Sequence, residues 1–468
     1  MGHAEMWRFI RTLRMNPRRR MYVITLVGLA TMAWTVLFTG GLLLGVLPPQ
    51  HVPGLCQFVV DADACNNHQP PHKFLPYSTV RPPSQRFSSS VIRPNGEQQQ
   101  RRFRTIHNQE NIMMQLRKPP SMTLMGNESA LQDNNSEIKP KVILRWTKFY
   151  GKDWGVPQGS HIFKELQCPH QKCVVTDEKS EIKEADAVLV HMRDIHDPSQ
   201  LPHYRAPHQR WIMHTLESPY HSEVNLTKFN GLFNWTSTYS DESDIPCPYG
   251  EYVPSEFDKF PRGTDMINKD PPSPVTLRQK SRTAAWFVTN CKAQNKREWF
   301  IDELQKHIQV DVYGICGKLK CKDPAVCQDM LKQRYKFYIA FENSSCKQYI
   351  TEKFWANSLQ NDIVPVVMGA PAVDYEKYAP PHSFIHIDNF SSPRELARHL
   401  KILHKNVNLY SEYFKWKTTG SAKSYVNFKP TTSRFWCDLC TALHNDKLPR
   451  KTHGDLASWW SVEKQCKI

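Results

Sequence analysis

Residues 336–369 read KFYIAFENSSCKQYITEKFWANSLQNDIVPVVMG. The run 337–341 is apolar on both faces and ends at Glu342-Asn343-Ser344. A second apolar run, 363–367, follows. Between them Tyr349-Ile350-Thr351-Glu352-Lys353 opens a stretch expected to be a helix near 352–360. Short strands apolar on both faces and separated by helices are the mark of a covered parallel sheet. The texture extends both ways, with strands at 284–288, 310–313 and 383–387 and helices near 296–308 and 393–404. In the last helix Leu396, Leu400 and Leu403 share one face. Before the breaker Asp270-Pro271-Pro272-Ser273-Pro274 lies another set, with strands at 142–144, 187–190 and 211–213. Two such sets predict an α/β chain with two Rossmann-like lobes, 140–269 and 275–430, and a C-terminal segment, 431–468. Ligands of such sheets bind beyond the carboxyl ends of the strands, so the cleft between the lobes is the default site.

Outside the lobes the composition changes. The chain has 468 residues, with 61 Lys or Arg against 45 Asp or Glu, a net charge of +16. An apolar fraction of 40% excludes both a wholly disordered chain and a polytopic membrane protein. Residues 1–20 hold six arginines against Glu5, a basic tail. Residues 21–47 carry no charged side chain. As a helix they would span about 40 Å, more than the roughly 30 Å hydrocarbon core. Arginines precede this run, which predicts a cytosolic N-terminus and a luminal remainder. A cleaved signal peptide is the other reading, but the run is too long for an ordinary one, which favours an uncleaved type II anchor. Residues 48–139 are rich in Pro pairs and read as a stem.

A luminal location suits thirteen cysteines as disulfides and removes nucleic acid as the partner of the charge. Cys56 and Cys65 would form a local bridge or join two chains. Thirteen is odd, and Cys247 is a candidate free thiol. Cys437-x-x-Cys440, with His444 and the Cys168/Cys173 pair, would also suit zinc, though the lumen favours disulfides. Glycan acceptor triplets start at Asn127, Asn134, Asn225, Asn234 and Asn389, and at Asn343 inside the 336–369 stretch. The lobes contain no Asp-x-Asp; the chain's one such triplet, Asp61-Ala62-Asp63, lies in the stem. The expectation is therefore catalysis with no required metal or other cofactor, a divalent ion being at most stimulatory.

Around residue 350 the residue types suit an anionic ligand: Lys353 to neutralise a phosphate, Glu352 to bond ribose hydroxyls, Tyr338 or Tyr349 to stack or donate. A surface helix start with an ordinary Glu-Lys pair is the alternative. The pattern FYIAFENS (337–344), YITEKFW (349–355) and VPVVMGA (364–370) resembles the α1,3-fucosyltransferases, glycosyltransferase family ten. The likeness covers roughly 140–445. It includes His191-Met192-Arg193-Asp194-Ile195, Leu216-Glu217-Ser218-Pro219, Thr238-Tyr239 and Pro248-Tyr249-Gly250. Within the family the chain is most similar to the insect and plant enzymes that act on the N-glycan core. That likeness rests on Cys316, Cys321, Cys327, Cys346 and Phe435-Trp436-Cys437-Asp438-Leu439-Cys440.

The resemblance implies a two-lobed GT-B fold, GDP-fucose as donor, N-glycosylated proteins as acceptors and a Golgi membrane location. It implies inverting transfer of fucose in α1,3 linkage to the innermost GlcNAc. Transfer to N-acetyllactosamine antennae is the alternative, and a catalytically silent glycan-binding homologue a third. Glu217 matches the proposed general base; Trp211 and Tyr220 are candidates for a hydrophobic wall that raises its pKa. Arg297, following Asn290, matches a phosphate-binding arginine whose fork of donors would hold two oxygens. Tyr313, Glu342, Asn343, Thr351 and Lys353 complete the implied donor set with Tyr338, Tyr349 and Glu352. Cys168 and Cys173 are implied to pair with Cys437 and Cys440. One departure concerns the pattern TYRRDSD, where two cations are replaced here by Ser240 and Asp241, which bears on activity or acceptor preference.

Overall fold

The computed structural model describes residues 139–255, 267–425 and 434–466. The expected tail and anchor and all but the last residue of the expected stem lie outside the described residues, with Asn127, Asn134, Cys56 and Cys65. Among the described residues no helix is long and apolar enough to cross a membrane.

Both sheets lie in one compact unit. The first is built from β1 (Lys141–Arg145), β2 (Cys173–Thr176), β3 (Ala187–His191), β4 (Arg210–His214) and β5 (Trp235–Ser237), all parallel, in the order β2-β1-β3-β4-β5. Strand β6 (Gly250–Pro254) leaves it. The second comprises β7 (Arg282–Phe287), β8 (Val310–Tyr313), β9 (Tyr335–Phe341), β10 (Val364–Met368) and β11 (Ile385–His386), again parallel, in the order β11-β10-β9-β7-β8. Numbered from its own first strand, that is 2-1-3-4-5 once more. Strand β12 (Gly420–Ser424) returns to pair antiparallel with β6 and ties the two halves together.

Each strand alternates its side chains between two cores, as a period of two requires. In β3, Ala187 and Leu189 face one cluster while Val188 and Val190 face the other. In β9, Phe337, Ile339 and Phe341 face one side and Tyr338 and Ala340 the other. The second sheet is crossed by helices α1 (Arg297–Gln305), α2 (Pro324–Arg334), α3 (Ala372–Tyr378) and α4 (Pro393–Lys405). Helix α4 starts at Pro393 behind Ser392, whose hydroxyl accepts the Glu395 amide at 3.3 Å, and buries Leu396, Leu400 and Leu403. The first sheet is connected mostly by short 3₁₀ turns.

Two expectations shift, and two strands stand where none was expected. The strand expected at 383–387 is the two-residue β11. The strands β2 and β5 are shorter than a periodicity window reveals. The helix expected near 352–360 closes after one turn, Glu352–Trp355. There Ser358 Oγ takes the Lys353 carbonyl at 2.7 Å and Asn361 Nδ2 takes those of Ala356 and Asn357 at 3.0 and 3.1 Å. Polar side chains that capture carbonyls compete with the helical ladder.

Helix α5 (Phe435–Leu443) packs Phe435, Trp436 and Leu439 into a core of the first sheet. Disulfides Cys168–Cys437 and Cys173–Cys440 fasten it there, the partners that the resemblance implies. Both sulfurs of the candidate zinc group Cys173, Cys440 and His444 thus belong to one disulfide. Cys291–Cys316, Cys321–Cys327 and Cys346–Cys466 are also bonded, and Cys247 is buried and lies outside these disulfides.

Candidate active site

In the second sheet β7 and β9 are neighbours although β8 intervenes in the chain, so a crevice opens at their carboxyl ends. Arg297, the first residue of α1, is fully buried there. Its Nη1 donates to the Phe341 carbonyl and its Nη2 to the Asn290 carbonyl, each at 2.9 Å, and its guanidinium lies 5.7 Å over the Trp286 ring. The fork expected to hold two phosphate oxygens holds two backbone carbonyls, one from each strand end. Asn295 adds a bond from Nδ2 to the Glu342 carbonyl at 2.9 Å.

Glu342 is fully buried. Its carboxylate accepts Thr351 N–H at 2.9 Å and Thr351 Oγ1 at 2.9 and 2.8 Å, with Lys353 Nζ at 3.3 Å. Burial pushes the Glu342 carboxyl up from its ordinary range, against the pull of Lys353. Lys353 also lies 3.0 Å from Glu352, so its ammonium sits between two carboxylates. Gly369 approaches from β10 at φ +141°; a Cβ there would stand 2.7 Å from Glu342 Cβ.

Glu217 follows β4 and is 5% exposed. Tyr150 of the first lobe donates to its Oε1 at 3.1 Å, and Tyr349, from the loop after β9, to its Oε2 at 3.3 Å. The next residue, Ser218, donates to Ser344 Oγ at 2.8 Å. The Glu217 loop of one lobe and the loop after β9 of the other thus meet in buried contacts. Burial, and then the Glu217 carboxylate, push the Tyr349 and Tyr249 phenols above their ordinary range, so both remain donors. Tyr249 Oη donates to the Leu216 carbonyl at 2.9 Å. Tyr150 is held at φ +50° because the Asp194 carboxylate accepts its N–H at 2.7 Å and that of Gly151 at 2.5 Å. Buried His191 bonds the same carboxylate through Nδ1 at 2.5 Å.

The expected wall of Trp211 and Tyr220 is not what surrounds Glu217. Trp211 lies near the opposite end of β4, under Arg205 at 4.5 Å, and Tyr220 is 37% exposed. Tyrosines 150 and 349 take that place, with Tyr249 and Tyr239 behind them. Two expected donor residues point elsewhere. Tyr338 is in the core with its hydroxyl accepting from Asn357 Nδ2 at 3.1 Å, and Tyr313 Oη meets Tyr335 Oη at 2.8 Å at the start of β9. Asn343 is buried and accepts Ser344 Oγ at 3.1 Å. Among the glycan acceptors, Asn225 and Asn389 are exposed. Asn234 is buried and its Nδ2 donates to the Lys451 carbonyl at 2.8 Å, which leaves the folded chain no path to that nitrogen. Sequence reasoning missed Tyr150, Ser344, Thr289 and Asn295. Thr289 Oγ1 and Asn295 Oδ1 are buried at the β7 and β9 ends without a hydrogen-bond partner among the described residues.

Asp241, standing where the family pattern has a cation, faces the second lobe. It accepts Gln348 Nε2 at 2.7 Å, Lys377 Nζ at 2.8 Å and the Tyr378 hydroxyl.

Two family models match the chain: the N-terminal fucosyltransferase model over residues 138–250, and the C-terminal model of glycosyltransferase family 10 (fucosyltransferase) over 277–459. The chain is 38% identical over 339 residues to the glycoprotein 3-alpha-L-fucosyltransferase A of Drosophila melanogaster. That match covers 71% of this chain and 63% of the fly protein's length. It is 31% identical to the alpha-(1,3)-fucosyltransferase C of the same fly, over 75% of this chain and 86% of that one. It is 36% identical to the human 4-galactosyl-N-acetylglucosaminide 3-alpha-L-fucosyltransferase FUT6, over 68% and 83%. A solved alpha1,3-fucosyltransferase with GDP-fucose shares 19% identity at a TM-score of 0.43, covering 69% of this chain and 96% of that one, a distant likeness. The chain belongs to glycosyltransferase family 10, the fucosyltransferase family.

Proposed function

We propose that this chain transfers L-fucose from GDP-fucose, with inversion and in α1,3 linkage, to the innermost GlcNAc of N-glycans on glycoproteins. The observation that carries the reading is Glu217, a buried carboxylate gripped by one tyrosine from each lobe and joined through Ser218 to the donor-motif loop. A carboxylate offers about four acceptor sites. In this reading the acceptor hydroxyl bonds the same carboxylate that the two tyrosines hold. As the sugar hydroxyl attacks the anomeric carbon, Glu217 takes its proton, the bond to GDP breaks and the diphosphate carries away the electron pair. The strand ends of the second sheet frame that diphosphate, with Arg297 fixing their spacing and Lys353 supplying positive charge in place of a required metal. The orphaned Thr289 Oγ1 and Asn295 Oδ1 support a polar ligand there, since buried polar atoms ordinarily have partners.

The glycoprotein acceptor is favoured by the 38% identity to the fly glycoprotein enzyme; the human relative's printed activity is on galactosyl-N-acetylglucosaminide. In this reading residues 21–47 anchor the chain in the Golgi membrane with the lobes in the lumen. The test is transfer from GDP-fucose to a purified N-glycopeptide bearing N-acetyllactosamine antennae, with the product mapped by mass spectrometry. Fucose on the core GlcNAc is expected. Fucose only on the antennae would move the acceptor to the Lewis type, and GDP-fucose binding without turnover would make the chain a silent homologue. Glu217→Gln should cut turnover about 100-fold or more while leaving donor binding intact.

A further inference from the structure

The loop between β9 and the Glu352–Trp355 turn carries Tyr349 to Glu217, and three attachments hold it. Ser344 accepts Ser218 Oγ, Cys346 is bonded to Cys466, and Lys347 N–H donates to the Gln465 carbonyl at 2.8 Å. None of these fixes the residue directly before Tyr349. That residue, Gln348, sits in the left-handed region at φ +59°, a conformation a side chain other than glycine adopts only when its surroundings impose it. Its surroundings are two acids. Asp374 of α3 accepts its N–H at 2.6 Å. Asp241 of the first lobe grips its side-chain amide on both ends: the Asp241 N–H donates to Gln348 Oε1 at 2.8 Å, and Gln348 Nε2 donates to Asp241 Oδ1 at 2.7 Å. The other oxygen of Asp241 takes Lys377 Nζ at 2.8 Å and the Tyr378 hydroxyl, both in α3.

We propose that Asp241 is a positioning residue, a clasp across the lobe boundary that sets Gln348 so that the Tyr349 hydroxyl stays on the Glu217 carboxylate. The acid is then a gained bridge to Lys377, not merely a lost cation. The inference rests on Glu217 as the base. Among the described residues, the titratable groups around Glu217 include the phenols of Tyr150, Tyr349, Tyr239 and Tyr249, with the carboxylates of Glu342 and Glu352 beyond them. Only Tyr349 among these hangs on the Gln348 backbone.

The experiment uses the full chain with Asp241→Ala, Tyr349→Phe and the double variant, alongside Glu217→Gln. Asp241→Ala should lower kcat about tenfold, which is about 1.4 kcal/mol of barrier, with less than about a twofold change in KM for GDP-fucose. Losing a hydroxyl donor makes a carboxylate more basic, so the acid limb of kcat against pH should move up by about 0.5–1 unit. Tyr349→Phe should shift the limb alike, and the double variant should add little to either. Should Asp241→Ala fold poorly, Asp241→Asn, which loses the Lys377 pair but can keep Gln348, is expected to give a smaller shift of the same sign. An unchanged limb, or effects that multiply in the double variant, overturns the clasp. Hydrogen–deuterium exchange over 344–350 reads the clasp without turnover and should rise in Asp241→Ala; unchanged exchange overturns it as well. Full turnover in Glu217→Gln would instead sink the base reading, whatever the exchange shows.

Discussion

Replacing Arg297 by Lys keeps the charge and removes the fork, and the structure says what that costs. One ammonium cannot reach both the Phe341 and the Asn290 carbonyls, which the guanidinium holds at 2.9 Å each. One buried carbonyl loses a charged donor, a loss of about 1–3 kcal/mol. The contact with the Trp286 face at 5.7 Å goes too, roughly another 0.5–1 kcal/mol. The sum is about 1.5–4 kcal/mol, on the order of 5 °C in Tm for a chain this size. Thermal unfolding at a matched scan rate measures the stability, and calorimetric titration with GDP measures the site. The expected result is a lower Tm together with weaker GDP binding, because the strand ends proposed to frame the diphosphate lose their spacer. A Tm within 1 °C of the parent (a convenient threshold of about the error of the method) with GDP binding still weakened would refute the reasoning. Arg297 would then hold the donor directly and spend nothing on the strand ends.

Two further perturbations read neighbouring parts. Gly369→Ala should destabilise the fold by about 2–4 kcal/mol and weaken GDP binding, since the new Cβ meets Glu342 Cβ at 2.7 Å in a left-handed backbone; urea unfolding with intact stability would show that β10 shifts freely. Asp244 is pushed up by burial, but bonds from His453, Lys451 and Thr236 outweigh this and hold it at about 2. Its folded pKa lies below the unfolded value, so its stabilisation is full above about pH 4 and fades as the pH falls toward 2. The stability gap between the parent and Asp244→Asn should narrow by roughly 1 kcal/mol from pH 5 to pH 3; a constant gap would mean the bonds do not discriminate charge.

The sheets were legible where strands are apolar on both faces, because burial on two sides writes a continuous run, as in 337–341. They were illegible at β2 and β5, which are four and three residues long. The shared strand order of the two sheets left no trace in sequence either: order is a property of crossovers, and in the first lobe those are mostly 3₁₀ turns while in the second they are mostly helices. The β6–β12 ribbon joins residues about 170 apart, a pairing that no local window contains.

For the site, residue types carried over and directions did not. A strand residue's type says little about which face it takes, since a shift of one position reverses it. Tyr338 is therefore a core residue bonded to Asn357, although it stands three residues from the crevice. Arg297 shows the same in a helix: as the first residue of α1 it points back under the strand ends and not outward over them. The Glu217 cluster failed to appear for a different reason. Tyr150, Glu217, Tyr249 and Tyr349 come from four separate loops, and only the folded lobes bring their oxygens together. The loop that delivers Tyr349 is in turn pinned by Cys466, near the far end of the chain. A carboxylate held by groups from both lobes has a direct physical consequence. Any change that parts the lobes loosens the tyrosine of the second lobe while that of the first stays, so the hold on Glu217 depends on how the lobes meet.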